Sequence, residues 1–264
     1  MDVIQAIILG IIQGFTEFLP VSSSGHLRLT QMLFGITDDV MIFDIVVHVG
    51  TLVPVFIIFW GDIKELIKKP FQKMTYLLVA ATIPTVVFTL LFYDRVSVLF
   101  ENAVFLAFGF TTTGILLILA DKMSKGRKTD KEITYKDAVI IGCVQGLGIA
   151  PSISRSGSTI TAGLSRGLNK SAAAKFSFLM SIPAILGGLI YHIVEVVNGS
   201  AEIEAVGALP LLVGFVTAMV CGYIAIKFFL NLIRRQKLRY FSVYLFILAS
   251  LILFDIFITQ RFVV

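Results

Sequence analysis

Ile8-Leu9-Gly10-Ile11-Ile12-Gln13-Gly14 and Ile140-Ile141-Gly142-Cys143-Val144-Gln145-Gly146 are two copies of one apolar pattern, 132 positions apart in a chain of 264 residues. Each copy breaks at a proline, Pro20 or Pro151, and enters a serine-rich turn that ends in glycine. The turns read Ser22-Ser23-Ser24-Gly25 and Ser154-Arg155-Ser156-Gly157. From the glutamine to that glycine, both copies span 12 positions. Apolar stretches interrupted by proline, glycine and polar residues at matching places of two halves indicate broken helices around a buried site. The repeat therefore predicts the place of function together with the fold.

The surrounding sequence belongs to a membrane protein. Hydrophobic residues make up 57% of the chain and charged ones 15%, and the mean hydropathy is +0.92. Segments 75–93, 103–120, 205–226 and 240–254 are almost free of charge, and 45–61 and 176–194 differ from them only in carrying His48 and His192. Each approaches the roughly 20 apolar residues that cross a bilayer. Met1-Asp2-Val3-Ile4 lacks the basic stretch of a cleaved signal peptide, so the first apolar run is expected to be mature structure. Cys143 and Cys221 fit no metal or redox spacing and read as small buried residues.

The net charge of +5 reads as topology, with no nucleic-acid partner expected. Seventeen of the 22 basic residues fall in four segments, 61–74, 121–136, 165–175 and 231–239. By contrast, 195–206 holds Glu195, Glu202 and Glu204 without a basic residue, and 94–102 holds only Arg95. If the basic segments are cytoplasmic, the alternation satisfies the positive-inside rule and both termini lie outside the cell membrane. Residues 3–35 and 136–168 would spoil the alternation as full spans. Each reads as a re-entrant hairpin of two short helices, tolerated where protein or water shields its backbone.

Each half is then one hairpin plus three spans. Three is odd, so the second half is inverted. The expected fold is all-α and integral to the membrane, with six transmembrane helices and two hairpins meeting near the midplane. Residues 1–120 form the first repeat, 121–136 a cytoplasmic linker that attracts anionic lipids, and 137–264 the second repeat. Gly187-Gly188 and Ala172-Ala173-Ala174 permit close helix contact, and so a homodimer, without identifying its face.

Ionisable groups within a membrane are functional candidates by default. Gln13 and Glu17 share a helix face, and the turn after Pro20 places three hydroxyls before His26. Serines donate hydrogen bonds or attack, and a histidine moves protons near neutral pH. In the second turn, Arg155 stands among Ser154, Ser156 and Thr159, ahead of a helix expected to start at about residue 158. A guanidinium pairs with phosphate oxygens, and a helix start offers free N–H groups. A buried Arg155–Glu17 ion pair joining the halves is the structural alternative and does not exclude the first. His48 and His192 are weaker candidates, since an interior histidine more often has a structural partner. Pro54, Pro84, Pro183 and Pro210 read as kinks or helix starts.

At these residues the chain resembles the undecaprenyl-pyrophosphate phosphatases, also called bacitracin-resistance proteins. One motif is Glu/Gln-x-x-x-Glu followed by Pro-Val-Ser-Ser-Thr/Ser-Gly-His, here Gln13 to His26. The other is Pro-Gly-x-Ser-Arg-Ser-Gly-x-Thr, here Pro151 to Thr159. The resemblance implies hydrolysis of a polyprenyl diphosphate to its monophosphate, which recycles the lipid carrier of envelope glycans. It further implies Glu17 as the essential glutamate, Ser23 as nucleophile, His26 as acid/base and Arg155 as phosphate clamp. Ser22, Ser24, Ser154, Ser156, Thr159 and Gln13 would assist at the phosphate, and Glu17 would help to hold Mg²⁺. Gln13 stands where many members have a first glutamate, and Ser152 replaces the glycine after the proline. A lipid flippase or secondary transporter would share the inverted-repeat architecture. The acid-phosphatase-like lipid phosphatases share Ser24-Gly25-His26 but require a histidine where Thr161 stands.

Overall fold

In a computed structural model, residues 1–36, 40–123, 125–198, 206–235 and 237–260 are described. Glu202 and Glu204, which the charge argument used, lie outside them. The described residues form eleven α-helices and no named strand. Six helices are long and apolar enough to cross a membrane: Met41–Ile58, Lys73–Tyr93, Ala103–Met123, Lys170–Val197, Ala208–Arg234 and Arg239–Thr259. They match the six apolar segments of the sequence, and large apolar side chains such as Ile83, Leu90, Phe108 and Ile190 stand exposed on them. The chain is an all-α integral membrane protein.

The first motif copy folds as α1 (Val3–Phe18), a turn and α2 (Ser23–Leu33). The second folds as α7 (Tyr135–Leu147), a turn and α8 (Arg155–Ser165). At 1.5 Å per residue, α1 reaches only about 24 Å, short of a bilayer core of about 30 Å. Between and after them come α3 (Met41–Ile58), α4 (Trp60–Lys68), α5 (Lys73–Ser97), α6 (Ala103–Met123), α9 (Lys170–Val197), α10 (Ala208–Arg235) and α11 (Arg239–Phe254). The charge pattern alone did not show α4, a short amphipathic helix that buries Ile63. Pro54, Pro84 and Pro183 lie inside α3, α5 and α9, and Pro210 lies in the first turn of α10.

The repeated glycines explain why the motif occurs twice. α1 packs on α10, and α7 packs on α5. Each leading helix therefore lies against the second long helix of the opposite half. A Cβ on Gly10 would meet the Gly214 carbonyl at 2.8 Å, and one on Gly14 would meet the Ala218 carbonyl at 2.7 Å. In the other copy, Gly142 presses on the Ala81 carbonyl, and a Cβ on Gly146 would meet Phe88 Cβ at 2.8 Å. Small residues four apart let two backbones touch, which is how apolar helices associate in lipid. Beneath the turns, Phe18 meets Phe178 edge-on at 5.5 Å, and Phe229 lies 5.9 Å from Phe178. Ala172, Ala173 and Ala174 are buried within this chain, with Ala173 against Gly163 of α8, whereas Gly187 and Gly188 face open space.

Candidate active site

Both serine turns are built in the same way. Ser22 caps α2 and Ser154 caps α8, each hydroxyl accepting the N–H of the glycine three residues on. Within each turn the capping hydroxyl lies 3.3 Å from that of the serine two residues on, Ser24 in the first and Ser156 in the second. The Ser154 cap starts α8 at Arg155, three residues before the expected position. Thr113 of α6 fixes the second turn by donating to the Ser152 carbonyl at 3.1 Å and accepting the Ser154 N–H at 3.0 Å.

The two turns touch. Ser156 donates to the Leu19 carbonyl at 3.2 Å, and Ser152 packs on Gly25. On the first side, Gln13 and Glu17 are buried in the last turns of α1, with Gln13 Nε2 donating to Glu17 Oε2 at 3.0 Å. The Ser23 hydroxyl donates to the same oxygen at 2.6 Å. Arg155 reaches across from the second turn and pairs through Nη2 with Glu17 Oε1. Its Nη1 is buried and has no hydrogen-bond partner among the described residues.

Glu17, Ser23 and Arg155 are thus in one place, with Gln13 beside them. His26 is close by but engaged elsewhere: its Nδ1 lies 2.7 Å from the Ser22 carbonyl and its Nε2 2.7 Å from the Tyr244 hydroxyl. Thr159 turns away and bonds Ser177 of α9 at 2.6 Å. His48 of α3 enters the site, its Nε2 being 3.7 Å from Glu17 Oε2 and its Nδ1 2.6 Å from the Asp44 carbonyl. The sequence signal for His48 was an ionisable group in a span, which the weighting toward a structural histidine set aside. Tyr244 had no comparable signal, because a tyrosine in an apolar helix is commonplace.

A hydroxyl on a carboxylate, next to a buried guanidinium with an open N–H, is equipped to attack and neutralise an oxyanion. The family model described as bacitracin resistance protein BacA matches residues 6–251. The chain belongs to the BacA family. Among its relatives, the undecaprenyl-diphosphatase of Carboxydothermus hydrogenoformans is 48% identical over 253 residues, covering 96% of this chain and 97% of that protein. Undecaprenyl-diphosphatase 4 of Bacillus cereus is 45% identical over the same shares of both chains. The undecaprenyl-diphosphatase of Halothermothrix orenii is 42% identical, over 96% of this chain and 98% of that protein. The matched BacA region contains both serine turns and every residue of the cluster around Glu17.

Proposed function

We propose that this BacA-family chain is a membrane phosphatase that removes the terminal phosphate of undecaprenyl diphosphate. The monophosphate carrier is thereby returned to envelope glycan synthesis, and that turnover confers bacitracin resistance. The observation that carries the reading is the Ser23 hydroxyl on Glu17 Oε2, with the unpartnered Arg155 Nη1 beside it. The lipid tail would lie among the long helices and the diphosphate between the serine turns.

In this reaction Ser23 Oγ attacks the terminal phosphorus as Glu17 takes its proton. The Oγ–P bond forms, the P–O bond to the lipid monophosphate breaks, and Arg155 neutralises the charge gathering on the phosphoryl oxygens. Water then attacks the phosphoserine, releases phosphate and restores the hydroxyl. Ser24 stands as a neutral donor, the Ser156 hydroxyl would have to leave the Leu19 carbonyl to become one, and the hydroxyls of Ser22 and Ser154 also cap their helices.

The donor set at Glu17 suits Mg²⁺. Gln13 Oε1 is a buried oxygen without a hydrogen-bond partner among the described residues, one helical turn from Glu17. Among the described residues no three acidic, histidine or cysteine side chains form a metal cluster. Glu17 and Gln13 would hold the ion with the substrate's own phosphate oxygens, a common arrangement for Mg²⁺, and it would supply charge neutralisation. The two hairpins are read as the re-entrant segments of an inverted repeat, one in each half, in the cell membrane, with the basic segments cytoplasmic and both termini outside. The test is phosphate release from undecaprenyl diphosphate by detergent-purified protein, where no sealed membrane exists. Release establishes hydrolysis; its absence favours transport of the lipid.

A further inference from the structure

The imidazole of His26 makes two hydrogen bonds, and neither goes to a serine hydroxyl. A carbonyl only accepts, so the Nδ1 facing the Ser22 carbonyl carries a hydrogen. In the neutral ring Nε2 is then a lone pair, and the Tyr244 phenol donates to it. The Tyr244 ring also stacks on the imidazole, with centroids 5.7 Å apart and planes 13° from parallel, while Phe110 meets it edge-on at 5.0 Å. The Ser22 carbonyl sets the tautomer, while Phe110 of α6 and Tyr244 of α11 set the place and angle of the ring.

The group held at the other end is Ser22, whose φ of +72° lies in the left-handed region that serine rarely adopts. The second turn supplies an internal comparison. Ser154 has an ordinary φ of −67°, the left-handed serine of that turn being Ser152 at +57°, and the residue matching His26 is Ser158, whose buried hydroxyl has no hydrogen-bond partner among the described residues. The imidazole therefore occurs where the capping serine itself is left-handed, in the turn that presents Ser23.

We propose that Tyr244 is a positioning residue of this site, acting through His26. The phenol anchors Nε2 and so the place of the ring, the Nδ1–H holds the Ser22 carbonyl, and the held turn keeps the Ser23 hydroxyl on Glu17. The kinetic part rests on the phosphatase reading; the structural part does not.

Tyr244→Phe retains the stacked ring and removes only the hydroxyl. The chain has three histidines, so ¹⁵N-histidine labelling gives three imidazole signal sets, and His48→Gln and His192→Gln identify that of His26. In the parent protein His26 is expected as the Nδ1–H form with Nε2 accepting a hydrogen bond, and in Tyr244→Phe the Nε2 shift moves downfield toward that of a free lone pair. Loss of one neutral hydrogen bond predicts a kcat about five- to tenfold lower with KM unchanged. An unchanged His26 Nε2 shift in Tyr244→Phe overturns the proposal whatever the rate, and so does a moved shift with an unaltered kcat. If the parent protein releases no phosphate, the phosphatase reading fails, and the spectrum still decides whether the phenol holds Nε2.

Discussion

Ser23 and Arg155 stand at the same place in the two repeat copies, 132 positions apart, and they hold the two oxygens of one carboxylate. The first copy supplies a hydroxyl to Glu17 Oε2 and the second a guanidinium to Oε1. Equivalent positions have thus taken complementary tasks, attack from one side and charge neutralisation from the other. The proposed chemistry needs both turns, because neither contains nucleophile, base and cation together.

Arg155→Lys tests the guanidinium. Lysine keeps the charge but cannot hold Glu17 and a phosphate oxygen through one planar fork. Phosphate release from the lipid diphosphate is expected to fall by about 10²–10³-fold, the range for losing one preorganised donor to a developing oxyanion. Arg155→Ala and Glu17→Gln should be at least as severe. Each also leaves a buried partner unpaired, destabilising the fold by about 3–5 kcal/mol, so melting must be followed beside activity. Wild-type turnover in Arg155→Ala would remove the site assignment.

Ser23→Ala separates covalent from direct attack. Ser23 donates to Glu17, whereas the Ser24 hydroxyl, among the described residues, is hydrogen-bonded only to the Ser22 hydroxyl, at 3.3 Å. The first substitution is expected to lower kcat at least about a thousandfold, the second only a few-fold. Retention of about a tenth of the activity by Ser23→Ala would leave water as the nucleophile.

The order of what could be read follows from distance along the chain. The repeat placed both turns and hence Glu17 against Arg155, because a shared pattern imposes a shared fold on segments far apart. The six long helices were legible from apolar length alone. α4 was not, since its nine residues make a charged loop and a short amphipathic helix look alike. Tyr244 is 218 positions from His26, and only the packing of α6 on α11 brings that span to the first turn. No periodicity encodes such a pairing.

Ser152 occupies a backbone conformation suited to glycine. Its φ is +57°, its side chain is fully buried, and its hydroxyl has no hydrogen-bond partner among the described residues. The resembling motif has glycine at this place. Ser152→Gly relieves the left-handed strain and removes the orphan hydroxyl, against the greater freedom of glycine in the unfolded chain. The net gain is about 1 kcal/mol, to be read from unfolding in detergent with kcat unchanged. Destabilisation by the substitution would show that the side chain supports the contact with Gly25.

Asp137, near the start of α7, predicts an acid-sensitive anchor. It is fully buried and accepts from Arg166 Nε at 2.8 Å, Thr134 Oγ1 at 2.8 Å and Lys128 Nζ at 3.4 Å. Burial alone would raise its pKa, but the Thr134 side chain and backbone, Arg166 and Lys128 outweigh it and lower the value from 3.8 to about 2. The native carboxyl is the stronger acid, so its contribution is whole above the unfolded value of 3.8 and is lost as pH falls through about 2. That contribution is on the order of 2 kcal/mol. Asp137→Asn should flatten the dependence of stability on pH between these values. Parallel acid curves for the two proteins would assign the transition elsewhere.

Membrane orientation is open to a direct chemical test. Moving a cationic loop across a bilayer during insertion is unfavourable, so the segments that hold 17 of 22 basic residues should remain in the cytoplasm. Lys131 is exposed in the linker between the halves, and Asn198 is exposed at the far end of α9. With Cys143 and Cys221 replaced by alanine, a single cysteine at position 198 should react with a membrane-impermeant maleimide on intact cells. One at position 131 should react only after the cells are opened. The reverse result would invert the whole chain. Labelling of both positions from outside would mean that the stretch between them crosses the membrane an even number of times, and the odd count behind the inverted repeat would fall.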